Sequence, residues 1–87
     1  MLRGVRIVNS LGLHARPAAA FVKIAGRFAS QISVRKEDME VNGKSIMGMM
    51  MLAAECGSEL HIRAEGDDAE QAVQELVNLV QGGFGED

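Results

Sequence analysis

A chain of 87 residues is enough for one small domain, residues 1–87, with a modest core. Its 47% hydrophobic and 24% charged content is globular, and its net charge of −3, with no Trp or Tyr and three Phe, argues against nucleic acid, whose partners are basic and often aromatic. No apolar run approaches the ~20 residues of a membrane span, and the opening residues lack the apolar stretch of a secretory signal. The expectation is a cytoplasmic protein that neither binds nucleic acid nor inserts into a membrane. Cys56, the single cysteine, has no internal disulfide partner and is expected to be a buried, inert thiol.

Taken in chain order, "RGVRIV" (3–8) alternates, with Val5 and Ile7 on one face, and predicts a strand. "NSLG" breaks it. Residues 16–25 predict a helix: Ala18, Phe21, Val22 and Ala25 fall at i, i+3, i+4 and i+7. Pro17 suits its first turn and Gly26 the position past its end. "QISVR" predicts a second strand with Ile32 and Val34 inward, "KED" a hairpin tip, and "MEV" the returning strand. Asn42-Gly43 is by itself a hairpin signal. The next stretch, "KSIMGMMMLAA", is rich in Met, Leu and Ala and favours helix, so the pair is read as a helix entry with Lys44 or Ser45 near the cap. "ELHIRAE" alternates, with Leu60, Ile62 and Ala64 inward and His61 on the exposed face. Ala69, Ala72, Val73, Leu76, Val77 and Val80 form a last helical stripe, opened by Asp67 or Asp68 and closed by Gly82-Gly83. Residues 84–87 are expected to fray.

The order β-α-β-β-α-β-α, with one apolar face per strand, predicts an antiparallel sheet covered by helices on one face and open to water on the other. The fold class is an α/β two-layer (α+β) open-faced sandwich.

His14 falls in the turn between the first strand and the first helix, within "GLHARPA" (12–18). The first amides of a helix have no internal partner, and the helix dipole adds positive charge there, so the place suits an anion, phosphate above all. Arg16 adds a permanent cation whose donor fork matches phosphate oxygens. Imidazole, with a reference pKa of about 6.5, offers a nucleophilic nitrogen near neutral pH. Phosphoryl transfer needs mainly positioning and charge stabilisation. Four methionines, at 47, 49, 50 and 51, cannot all face inward on one short helix, and the remainder should form an adaptable apolar patch.

"GLHARPA" resembles the active-site signature of HPr, the histidine phosphocarrier family of the bacterial PEP-dependent sugar phosphotransferase system. "VNGKSIMGMMMLAA" (41–54) resembles the family's second signature, around a regulatory serine, and "AEGDDAEQAVQELVNLV" (64–80) its last loop and helix. The resemblance implies a four-stranded sheet of order 1-4-2-3. It implies that His14 carries the phosphate on Nδ1, that Arg16 and the first helix amides stabilise it, and that Pro17 sets the helix entry. The implied donor is phosphorylated enzyme I and the implied acceptors are IIA domains of sugar permeases; no cofactor or metal is needed, and the chain is a monomeric carrier more than an enzyme. Ser45 matches the serine phosphorylated by the HPr kinase/phosphorylase, although serine also belongs there as an N-cap. Met47 and Met50 match the family's apolar docking contacts, Ala19 lies on the first-helix side, and Lys23 and Lys44 match its basic rim, which Arg27 extends. Leu11, Gly43 and Met51 depart from familiar members of the family, which bears on partner choice.

Two other readings keep the same fold: an HPr-like regulatory module whose output is Ser45 phosphorylation, and a carrier of a nitrogen-related phosphorelay. "GKS" (43–45) is not a P-loop, because Asp38 stands where that motif needs its first glycine. His14 and His61 alone make no metal site, and the carboxylates of "EGDDAE" are read as helix capping and dipole complement.

Overall fold

The computed structural model describes residues 1–86. In chain order the elements are β1 (Leu2–Arg6), α1 (Ala15–Ala25), β2 (Gln31–Lys36), β3 (Met39–Asn42), α2 (Ile46–Met51), β4 (Glu59–Glu65), α3 (Ala69–Gln81) and a 3-10 turn (Gly83–Gly85). The four strands form one sheet of order β1-β4-β2-β3, every pair antiparallel. This is the expected open-faced sandwich.

The register explains why one face is covered. Val5 lies opposite Leu60, Val34 opposite both Ile62 and Val41, and Ile32 opposite Ala64. The period of two therefore gathers the apolar residues of β1, β2 and β4 on one side. Ala18, Phe21 and Ala25 of α1, Met49 of α2, and Ala72, Val73, Leu76, Val77 and Val80 of α3 close over them, all buried. Phe21 is the largest of these side chains, and its burial contributes roughly 1.5–3 kcal/mol. The alanines let the helices sit close to the sheet; Val22, on the edge of the α1 stripe, is only partly buried.

Several expectations are corrected. The ladder of β1 ends at Arg6 instead of residue 8, because Ile7 meets two successive residues: its N–H donates to the Ser58 carbonyl (2.9 Å) and its carbonyl accepts from Gly57 (2.8 Å). Val8 is exposed. Cys56 is exposed as well, because it sits in the turn before β4, where Gly57 adopts φ +95°. His61 does lie opposite Leu60 and Ile62, but it is half-buried, with Nδ1 enclosed. Of its two cross-strand neighbours, Gly4 and Arg35, the glycine has no side chain to lift the ring off the sheet.

Asp68 holds the N-cap position of α3 without making a side-chain cap. Its carboxylate instead accepts from the Ala29 amide (2.8 Å), the Ser30 amide (3.0 Å) and the Ser30 hydroxyl, tying the loop after α1 to the start of α3. Nor do residues 84–86 fray. Phe84 is buried in the 3-10 turn, and Glu86 bonds to Asn9 and His14. The remaining residue of that expected tail, Asp87, lies outside the described residues.

Candidate functional site

The segment from Asn9 to His14 is shaped before α1 begins. Gly12 adopts φ +71°, a left-handed turn that disfavours any side chain. Leu13 is buried, and its amide donates to the Ala54 carbonyl at 2.9 Å, pinning the loop to the segment after α2. His14 comes next as the N-cap residue of α1, with extended backbone (φ −82°, ψ −170°). Its carbonyl accepts the first helical bond, from Ala18 at 3.0 Å. Its ring makes no capping bond. Ala15 and Arg16 thus occupy the first turn, whose amides lack intrahelical acceptors, and Pro17, buried, has no N–H to leave orphaned. Arg16 stands in the turn that forms the positive end of the helix. Arg16 is exposed, and no residue among those described pairs with it.

The His14 side chain is 38% exposed and meets a carboxylate. Both Glu86 oxygens stand 3.1 Å from Nε2. Asn9, fully buried, donates from Nδ2 to the Gly12 carbonyl (2.8 Å) and to Glu86 Oε1 (3.1 Å). With Nε2 engaged, Nδ1 is the ring nitrogen left for other chemistry. Sequence reasoning missed both residues. Asn9 reads as a turn former after a strand, and no local pattern in "GGFGED" announces a contact with a residue 72 positions earlier.

The second predicted cluster is spread over α2 and α1, which pack together. Ser45 is the N-cap of α2, its hydroxyl accepting from the Gly48 amide at 3.0 Å. Of the four methionines only Met49 is buried; Met47, Met50 and Met51 are exposed, Met47 by 75%. Leu11, in the loop before His14, is exposed by 76%, so the apolar surface is not confined to α2. Ala19, Lys23 and Arg27 are exposed on or just beyond α1. Lys44 is tied down, its ammonium donating to the Phe28 carbonyl at 2.7 Å. Gly43 has a packing reason: a β-carbon there would fall 2.6 Å from Ile32 Cγ2. Among the described residues no group of His, Cys, Asp or Glu could hold a metal ion, and no helix is long and apolar enough to cross a membrane.

Fold and site together are those of a small phosphoryl-carrier domain, with an imidazole at a helix entry and an arginine in the first turn. A family model described as "PTS HPr component phosphorylation site" matches residues 2–82. The phosphocarrier protein HPr of Neisseria meningitidis serogroup A is 45% identical over 84 residues, covering 97% of this chain and 94% of that one. That of Pseudomonas aeruginosa is 48% identical over 83 residues, covering 94% and 92%. Among solved structures, one of HPr from Thermoanaerobacter tengcongensis superposes with a TM-score of 0.95 at 48% identity, covering 100% of this chain and 98% of that one. The chain belongs to the HPr family of phosphocarrier proteins.

Proposed function

We propose that the chain is a monomeric, cytoplasmic carrier that accepts a phosphoryl group from phosphorylated enzyme I on Nδ1 of His14 and passes it to IIA domains of sugar permeases. The observation that carries this reading is the placement of His14 at the entry of α1, with Nε2 engaged by Glu86. The electron pair on Nδ1 attacks phosphorus, and the donor's P–N bond breaks with its pair returning to the donor imidazole. The first-turn amides of α1 and the Arg16 guanidinium bind the phosphoryl oxygens. The amides are fixed before the reaction, so they stabilise the developing charge without reorganising, and the exposed Arg16 side chain closes on the phosphoryl group as it arrives. Pro17 holds the helix entry in place. No cofactor or metal takes part.

Met47 and Met50 of α2, with Ala19 on the α1 side, form the apolar patch on which both partners dock in turn. Flexible thioether side chains adapt to different surfaces. Lys23, Arg27 and Lys44 form the basic rim. Phosphorylation of Ser45 by an HPr kinase/phosphorylase adds up to about −2 of charge at the edge of that patch and disfavours an acidic partner. The relay is tested by loading the chain from PEP through enzyme I, isolating it, and adding a purified IIA domain. Label passing to the IIA domain supports the reading; label that stays on the carrier contradicts it.

A further inference from the structure

The contact between Glu86 and His14 has a task within that reaction. We propose that Glu86 is a positioning residue, holding His14 in the tautomer whose free electron pair lies on Nδ1. The proposal rests on the phosphocarrier reading.

A neutral imidazole carries one N–H and one acceptor nitrogen, and an ionised carboxylate can only accept. Because both Glu86 oxygens lie 3.1 Å from Nε2, the proton of the neutral ring sits on Nε2 and the nucleophilic pair on Nδ1. When Nδ1 bonds to phosphorus, the ring gains a positive charge shared with Nε2–H. The carboxylate balances that charge. On transfer to the next acceptor the N–P bond breaks, its pair returns to Nδ1, and the neutral tautomer is restored. The carrier exchanges no proton with solvent in either step.

The carboxylate is itself held. Asn9 is fully buried, and its Nδ2 spans the Gly12 carbonyl and Glu86 Oε1, while its Oδ1 is enclosed without a partner among the described residues. Turning the amide over would set Oδ1 against two acceptors, so the orientation is fixed. In that orientation Nδ2 grips the carboxylate. The tail is shaped to the same end. Gly83, Phe84 and Gly85 have φ of +69°, +58° and +76°, three successive left-handed residues that reverse the chain. Such a conformation is strained for phenylalanine and persists only where packing imposes it; here the ring is buried. Asn9, Glu86 and His14 thus stand in series, a buried amide orienting a carboxylate that orients an imidazole. In enzymes a carboxylate fixes a catalytic histidine by the same logic.

The test uses the full chain and the variants Glu86→Ala and Glu86→Gln, with circular dichroism to verify the fold. Single-turnover transfer from phosphorylated enzyme I is measured over a range of carrier concentrations, and the His14 ring is followed by nitrogen-15 NMR. In wild type the Nε2–H signal is expected to be protected from exchange with water. Glu86→Ala should lose that protection and accept phosphate about tenfold more slowly at saturation, with the half-saturating concentration unchanged. Glu86→Gln, whose amide oxygen still accepts from Nε2–H, should keep the protected signal and recover part of the rate. Wild-type transfer by Glu86→Ala with an unchanged ring signal overturns the proposal, as does a loss that lies wholly in the half-saturating concentration. A folded wild type that takes up no phosphate from cognate enzyme I is a different result, and it overturns the phosphocarrier reading itself.

Discussion

Gly12 faces the carbonyl of Ala54 so closely that a β-carbon at Gly12 would lie 2.5 Å from that oxygen. The approach is what lets the Leu13 amide reach the same carbonyl at 2.9 Å, and His14 is the next residue. Gly12→Ala would meet both this clash and a left-handed backbone at φ +71°. The variant should lose at least about 2 kcal/mol of stability, read as a lower urea midpoint. Because the loop must shift to admit the methyl group, it should also accept phosphate more slowly.

Asp68 joins two loops that are far apart in sequence, and the bond should respond to pH. The Ser30 hydroxyl, followed by the Ala29 amide, holds its carboxyl below the ordinary value of 3.8. A carboxylate whose pKa is lower in the folded state stabilises the fold above its unfolded pKa, and that contribution is lost as pH falls through the folded value. Asp68→Asn should therefore be less stable than wild type at neutral pH. The gap should narrow as pH drops past 3.8 and close once the folded carboxyl is protonated. Urea midpoints of both proteins from neutral pH down to about pH 2 check this.

Ser45 caps a helix of only six residues through the Gly48 amide. Ser45→Ala should cost about 1 kcal/mol by loss of the cap, and Ser45→Asp should retain most of it, since aspartate caps equally well. Thermal denaturation of the three proteins distinguishes them. Equal melting temperatures for wild type and Ser45→Ala would contradict a structural share in the role of this serine.

The sheet and its helices were legible because their signals are local. Val5, Ile32, Val34, Leu60 and Ile62 alternate within their own strands, and the α3 stripe repeats within its own helix, so each element announces its buried face. The ambiguity of Asn42-Gly43 was resolved by the methionines and alanines C-terminal to it, which favour helix over a returning strand. His14 was legible for the same reason, standing between a strand and a proline-started helix. The features hidden from the sequence depend on long-range packing. Nothing near Phe84 indicates that it is buried, because two flanking glycines read as a loose end. Glu86 gains its meaning only from a ring 72 residues away, and Asp68 only from amides 38 and 39 residues away. Cys56 misled because cysteine is usually buried, whereas a turn before a strand is governed by its backbone. Gly43, read from the sequence as unusual, is explained only by the packing of Ile32.

The central claim is that His14 carries a phosphoryl group. The most direct measurement is the intact mass of the chain after incubation with PEP, magnesium and cognate enzyme I. The account predicts one added phosphate, labile in acid and stable in alkali as expected for phosphohistidine, and its absence from a folded His14→Ala. An unmodified wild type, or a phosphate that persists in His14→Ala, would contradict it.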